Sequence, residues 1–169
     1  MIEFTHVVAL WLGTLSLADK IILVLVLIMH RIVASAGIWT YALFTLIATF
    51  LHEAMHWACA IVLGANPSFP RLIPERTPTG WRLGSVSFTP GLLKNIPIAL
   101  APFLLAPFGL WWAAEYMHPA TGWWYVMHAW IAGTVIMACL PSSQDWKIAA
   151  PALILCALGY AAFHFRAYL

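Results

Sequence analysis

Charged residues are scarce in this sequence. Only 8% of its 169 residues are Asp, Glu, Lys or Arg, whereas soluble domains carry about 25%. Hydrophobic residues make up 63% of the chain, and its formal net charge is +2. This composition excludes an ordinary soluble domain and predicts an integral membrane protein that contacts the lipid bilayer. Because the net charge is small and no run of basic residues occurs, we expect no nucleic-acid partner.

Cysteines are also few, and their number is odd. The three thiols, Cys59, Cys139 and Cys156, all lie in apolar segments, so we predict buried free cysteines rather than disulfides. The sequence lacks internal repeats, low-complexity stretches and any linker long enough to separate domains. We therefore predict one integral membrane domain over residues 1–169. The sequence does not indicate an oligomeric state.

The apolar segment 39–64 contains a polar motif. It is long enough to cross a membrane as one helix, yet it holds His52, Glu53 and His56. From residue 32 to residue 70, Glu53 is the only formally charged side chain. A carboxylate at membrane depth is energetically costly, so it requires a partner or a function.

The spacing of these residues suggests that function. Residues four apart lie on one face of a helix, so His52 and His56 can present two imidazole nitrogens to one tetrahedral zinc ion. Glu53 can then take a proton from a water whose pKa the metal lowers to roughly 7. This is the H-E-x-x-H pattern of metalloproteases. The same three positions also match by chance in soluble helices, but the apolar surroundings here favour a metal site.

The sequence leaves two candidates for a third zinc ligand. Asp145 offers a carboxylate oxygen and is also placed to cap a helix, whereas His128 lies in the middle of a predicted span and could instead face the substrate.

The basic residues that follow the motif predict a cytoplasmic loop by the positive-inside rule. We therefore place the active site in the cytoplasmic half of the membrane. The predicted span that precedes Asp145 ends on the same side, so Asp145 also lies near that half. These basic residues are Arg71, Arg76, Arg82 and Lys94.

The remaining apolar segments predict an all-α membrane protein with a bundle of about five transmembrane helices. We place them at about residues 21–36, 39–64, 92–115, 123–140 and 148–165; whether residues 4–17 also span is left open. Prolines 97, 102 and 107 should kink the third of these helices, and the carbonyls that they free need partners inside the bundle. Asn95, near its start, is either a possible oxyanion or substrate contact or a helix-end amide.

The segment between the second and third predicted spans differs in character. Residues 65–91 are rich in proline and glycine and contain two extended runs, at about Phe69–Ile73 and Trp81–Phe88, with a turn at Thr77–Gly80 between them. We predict a small membrane-associated β-hairpin or β-loop. It is either an irregular connector or an edge strand that holds an extended peptide by main-chain hydrogen bonds.

The order of these features resembles the site-2 protease group of intramembrane zinc metalloproteases, in a minimal and divergent form. The similarity rests on the His52–His56 motif in an early span, the β-like loop after it, a proline-bearing span, and Asp145 after Pro141. It covers a catalytic core of about residues 39–150. The resemblance implies a three-helix core, zinc bound by two histidines and Asp145, and a β-loop that helps to present the substrate.

These inferences predict a zinc endopeptidase that hydrolyses membrane-embedded or membrane-adjacent proteins and peptides. Glu53 is the catalytic residue, and His52, His56 and Asp145 are the metal ligands. We expect a multi-pass protein of a prokaryotic inner or plasma membrane. The alternatives are a membrane metalloprotein with haem or a di-iron centre, and a metal transporter in which Glu53 belongs to an ion path.

Overall fold

The fold is mostly helical, as the composition predicts. The computed structural model describes residues 4–78, 80–89 and 91–166, and helix accounts for 74% of the structure. The α-helices are α1 (Phe4–Thr14), α2 (Leu17–Val33), α3 (Ile38–Phe44), α4 (Leu46–Val62), α5 (Leu92–Leu100), α6 (Leu105–Trp112), α7 (Gly122–Ala138) and α8 (Ser143–Arg166). Short 3-10 segments occupy Ala34–Ala36 and Ala101–Leu104, a π-helical turn occupies Ala113–Met117, and the strands are β1 (Glu75–Thr77) and β2 (Gly80–Arg82).

One continuous helical stretch is long and apolar enough to cross a membrane. It runs from Lys94 to Met117, and the 3-10 segment and the π-turn interrupt its regular α-helix. Three pairs of consecutive helices also qualify if each bent pair is one span, which gives up to four spans within the described residues. The bends are 102° between α1 and α2, 69° between α3 and α4, and 45° between α7 and α8.

The helix that we predicted over residues 39–64 is broken. It divides at Thr45 into α3 and α4, so the prediction of one straight span was wrong in this respect. Thr45 has φ −96° and ψ 7°, which depart from regular helix values. Its hydroxyl also donates a hydrogen bond of 2.7 Å to the carbonyl of Tyr41, a contact that often accompanies bends in helices. The His-Glu motif therefore lies within the second and third turns of a separate helix, α4.

Small residues let the central helices approach one another closely. Gly133 of α7 packs directly against Val26 of α2, where a β-carbon would overlap the valine side chain. On α6, a β-carbon at Gly109 would lie 2.6 Å from Ile136 of α7. Glycines at such crossings are typical of helix packing within membranes, where van der Waals contact replaces the hydrophobic effect. α7 is thus the helix around which α2 and α6 are packed.

A buried carboxylate ties the start of α2 to α7. Ser16 and Asp19 form a capping box at the start of α2. The Asp19 carboxylate also accepts hydrogen bonds from His118 Nδ1, at 2.7 Å, and from the Tyr125 hydroxyl, at 2.9 Å. Asp19 is only 3% exposed, and these hydrogen bonds replace the water that its carboxylate oxygens lose on burial.

The predicted hairpin is present with shorter strands: β2 overlaps the start of the predicted second run at Trp81 and Arg82, whereas β1 lies after the predicted first run. β1 and β2 pair antiparallel, with Glu75 opposite Arg82. The predicted first strand, Phe69–Ile73, contributes only Arg71, which exchanges two backbone hydrogen bonds with Ser85. Prolines at positions 70 and 74 lack the N–H that a strand ladder needs, so continuous pairing is limited to β1.

The predicted turn between the strands is only partly visible. It involves residues 77–80, of which Thr79 lies outside the described residues. The Thr77 hydroxyl donates a hydrogen bond of 3.0 Å to the Gly80 carbonyl, which closes the hairpin end. Gly80 has a φ of 138°, a backbone conformation that glycine adopts far more readily than other residues.

Candidate metal centre

Three side chains from two helices meet at one point inside the bundle. His52 and His56 project from α4, and Asp145 projects from the first turn of α8. The two Nε2 atoms lie 3.1 Å apart. His52 Nε2 lies 3.2 Å from Asp145 Oδ2, and His56 Nε2 lies 3.1 Å from Asp145 Oδ1. This is the third-ligand assignment to Asp145 that the sequence favoured.

The triangle of ligand atoms has the dimensions of a tetrahedral metal site. Zinc–nitrogen and zinc–oxygen bonds of about 2.0–2.1 Å at tetrahedral angles place neighbouring ligand atoms roughly 3.3–3.4 Å apart. The observed separations of 3.1–3.2 Å are close to this value. Three protein ligands on one face also leave the fourth corner of the tetrahedron for water or substrate. Within the described residues, no other group of His, Cys, Asp and Glu side chains converges in this way.

Main-chain carbonyls orient both histidines. His52 Nδ1 lies 2.9 Å from the carbonyl oxygen of Ala138, and His56 Nδ1 lies 2.7 Å from that of Ile98. Since a carbonyl can only accept, each Nδ1 carries the proton and each Nε2 presents a lone pair. Two facing lone pairs and a carboxylate repel one another in the absence of a proton or a cation. The donor set therefore fits a metal ion.

Both carbonyls are available for a structural reason. Pro102 lies four residues after Ile98 and has no N–H, so it cannot close the usual helical hydrogen bond to that carbonyl. Ala138 is the last residue of α7, where carbonyls have no partner within their own helix. The prediction that kinking prolines free carbonyls for partners inside the bundle is confirmed at Ile98.

Asp145 has two functions in the structure. Its Oδ2 accepts a hydrogen bond of 2.6 Å from the Ser142 backbone N–H, and its own N–H lies 3.3 Å from the Ser142 hydroxyl. These reciprocal contacts form a capping box at the start of α8. Asp145 is thus both the helix-capping residue and the candidate ligand, two roles that the sequence left open. Because the cap already fixes the Asp145 carboxylate, this side chain loses little conformational entropy when it binds a metal.

Glu53 is buried beside the histidines and under the polypeptide of the hairpin segment. It is 8% exposed. A β-carbon built on Gly84 would lie 2.7 Å from Glu53 Cγ and 2.8 Å from Glu53 Oε1, so the main chain at Gly84 rests on this side chain. Glycine is required here because a larger residue would displace the carboxylate. The segment after β2 therefore forms one wall of the metal centre.

Arg82 connects the hairpin to α8. Its Nη2 donates a hydrogen bond of 2.7 Å to Glu75 Oε2, and its Nη1 lies 3.4 Å from Gln144 Oε1. The guanidinium holds the pKa of the Glu75 carboxyl below its usual range, through this hydrogen bond first and through its charge. Gln144 precedes Asp145, so this contact brings the hairpin to the helix turn that presents the third ligand.

The two other predicted site residues have different surroundings. Asn95 Oδ1 accepts a hydrogen bond of 3.0 Å from the Gly91 N–H, so Asn95 is a helix-end amide at the start of α5. His128 packs among aromatic rings of α6, α7 and the π-turn, with Trp112, Tyr116 and Trp124 about its imidazole. The structure thus brings Asp145 to the two histidines and places His128 in an aromatic cluster.

Sequence analysis missed three contributors to this centre. Ser142 could have been found, because Ser142-x-x-Asp145 repeats the capping-box spacing of Ser16-x-x-Asp19. Gly84 and Arg82 gave no such signal, since their importance depends on how the hairpin folds over α4 and α8.

Comparisons with known proteins found no similarity. The chain matches no protein-family model, no curated protein and no solved structure.

Proposed function

We propose that this chain is an intramembrane zinc endopeptidase similar to the site-2 protease group. The observation that supports this proposal is the convergence of two imidazole Nε2 atoms and one carboxylate at 3.1–3.2 Å, with Glu53 adjacent to His52 on the same helix. Two nitrogens and one oxygen in tetrahedral arrangement suit zinc, and an open fourth corner is typical of catalytic rather than structural zinc sites.

We further propose that the protein spans the membrane several times. The 24-residue stretch Lys94–Met117 supports one span, and the three bent pairs supply three more if each crosses the bilayer. The basic residues of the hairpin region and Lys94 favour a cytoplasmic position for that side by the positive-inside rule. The metal centre is adjacent to this hairpin, and this supports our proposal that it lies toward the cytoplasmic half of a prokaryotic inner or plasma membrane.

The residues of this chain divide the chemical work between them. When bound, zinc polarises the scissile carbonyl and makes water a better nucleophile at neutral pH. Glu53 takes the proton from the attacking water and later delivers it to the leaving amine nitrogen. His52, His56 and Asp145 hold the metal, and the carbonyls of Ala138 and Ile98 keep the imidazoles in the ligating tautomer.

The substrate must reach a buried centre as an extended chain. His56 and Asp145 are each 6% exposed, and a helical substrate would keep its carbonyls in internal hydrogen bonds. The hairpin segment, whose Arg71 and Ser85 pair in an antiparallel bridge beside the centre, provides strand backbone to which a peptide can add by main-chain hydrogen bonds. We assign the hairpin this presenting role.

The decisive experiment compares the wild-type protein with Glu53→Gln, both purified in detergent. Elemental analysis measures zinc, and a fluorescently labelled unfolded protein reports hydrolysis. We expect one zinc per chain in both proteins and hydrolysis in the wild type only. Hydrolysis that persists in Glu53→Gln would refute the mechanism. Zinc without hydrolysis in the wild type, together with metal flux into vesicles, would favour the transport alternative, and a visible absorption band would favour haem or iron.

A further inference from the structure

Arg82 lies between the hairpin and the metal centre. Its guanidinium contacts Glu75 across the hairpin and Gln144 at the start of α8. Gln144 is the exposed neighbour of the candidate ligand Asp145, so the guanidinium lies beside the helix turn that carries this ligand. These contacts fix a long side chain that would otherwise be free to move in water.

The chain that follows Arg82 contacts the centre on the α4 side. Gly84, two residues after Arg82, rests on Glu53. The positive charge of Arg82 is therefore held two residues from the contact with Glu53 and beside the helix turn that carries the third ligand.

The guanidinium also has a donor that its present contacts do not use. Arginine has five N–H groups in a fixed planar arrangement. Nη2 and Nη1 contact Glu75 and Gln144, whereas Nε is buried and has no hydrogen-bond partner among the described residues. Buried polar groups without a partner are rare in proteins, and they concentrate where function requires them. This donor is suited to an acceptor that arrives with the substrate.

We propose that Arg82 is a substrate-contacting residue that stabilises the oxyanion of the reaction. This inference rests on the proposed endopeptidase function. In the first step, the water oxygen bonds to the carbonyl carbon, the C=O π electrons move onto the carbonyl oxygen, and Glu53 takes the proton. In the second, the C=O bond re-forms, the C–N bond breaks, and the nitrogen takes the proton from Glu53. Arg82 donates a hydrogen bond to the carbonyl oxygen while that oxygen carries negative charge.

Two other polar residues are less suited to this role. Asn95, the sequence-predicted candidate, is held at the start of α5, where its Oδ1 accepts from the Gly91 N–H, and it carries no positive charge to stabilise an oxyanion. Arg71 also faces Glu75, but its side chain is 78% exposed and its Nη1 is 3.8 Å from the carboxylate. Water screens such an exposed charge strongly. The Arg82 side chain is 36% exposed, and its Nη2 lies 2.7 Å from the same carboxylate.

The test uses the full chain in detergent and three variants. Arg82→Gln removes the charge, Arg82→Lys keeps a charge without the planar donor array, and Arg31→Gln is a matched control at an exposed arginine in the last turn of α2, outside the hairpin. Zinc content is measured for each protein. Steady-state kinetics use a quenched-fluorescence peptide that contains a bond cleaved by the wild type. Inhibition is measured with a phosphinic peptide that mimics the tetrahedral intermediate and with the cleaved product peptides.

We expect Arg82→Gln to lower kcat on the order of 10²-fold, the typical effect of losing one oxyanion donor, with KM changed less than about threefold. Affinity for the phosphinic peptide should fall in parallel with kcat/KM, while product affinity and zinc content stay constant. Arg82→Lys should be intermediate, and Arg31→Gln should resemble the wild type.

Three results would overturn the assignment while the endopeptidase proposal stands. One is an Arg82→Gln protein with wild-type kcat; another is a higher KM at unchanged kcat. The third is loss of zinc or of the folded state, which would make the role of Arg82 structural. A wild-type protein that binds zinc but cleaves nothing would instead overturn the proposed function itself.

Discussion

Replacing Gly84 by alanine tests whether the hairpin segment sets the position of Glu53. The added β-carbon would lie 2.7 Å from Glu53 Cγ, 2.8 Å from Glu53 Oε1 and 2.9 Å from Thr49 Cγ2. Non-bonded carbon atoms are comfortable at about 3.5–4.0 Å, so either the main chain or the glutamate must move by about 1 Å. Misplacing a catalytic group by that distance costs on the order of 10² in rate.

The assay for Gly84→Ala measures hydrolysis, zinc content and thermal unfolding side by side. We expect kcat/KM to fall on the order of 10²-fold with zinc retained, because the three atoms nearest to the added β-carbon belong to Glu53 and Thr49 and not to a metal ligand. Gly91→Ala is the matched control, since a β-carbon there would meet only the Lys94 side chain at ordinary distances of 3.6–3.8 Å. If Gly84→Ala were within about threefold of the wild type, the argument that this contact positions Glu53 would be wrong.

Three further predictions concern the ligand set and the ion pairs. Asp145→Ala should weaken zinc binding by more than the roughly 10–100-fold typical of outer-shell changes, whereas His128→Phe should not, as titration with a zinc chelator would show. Because Arg82 lowers the pKa of Glu75 from 4.5, their pair stabilises the fold above that pH and the contribution disappears as the pH falls through the lowered value. The wild type should therefore lose its advantage over Glu75→Gln in acid melting curves. Asp19→Asn should lower the free energy of unfolding by about 1–3 kcal/mol without changing zinc content; equal melting temperatures would contradict this.

The helical metal site was accessible from the sequence because its signals are local. The spacing of His52 and His56 depends only on helical geometry, and the isolated charge of Glu53 is visible in the composition around it. Asp145 was accessible as a hypothesis, since a carboxylate after Pro141-Ser-Ser is also a helix-start signal. The proximity of Asp145 to His52 and His56 depends on the tertiary packing that brings α8 to α4, which no local sequence pattern predicts.

The errors arose where backbone detail decides the structure. The break at Thr45 occurs within an apolar run that reads as continuous, at a residue whose departure from helical backbone angles has no local sequence signal. The first hairpin strand lies after the predicted run at residues 69–73, because Pro70 and Pro74 lack the N–H that a strand ladder needs. The oxyanion role suggested for Asn95 stays a prediction, since the contact at its helix start uses the amide oxygen and not the amide N–H donors. From the sequence, Arg82 predicts only the orientation of its loop in the membrane, because its hydrogen-bond partners Glu75 and Gln144 lie 7 and 62 residues away.

The bonds from His52 and His56 to the carbonyls of Ala138 and Ile98 make the metal centre sensitive to helix position rather than to side-chain identity. No substitution at Ala138 or Ile98 removes a main-chain carbonyl, so a mutational scan would find these positions tolerant of residues of similar size. A shift of α5 or α7 by a fraction of an ångström, in contrast, would rotate an imidazole and change the affinity for metal. Lipid thickness or a partner helix that displaces either element would therefore alter metal occupancy from a distance, without touching any ligand.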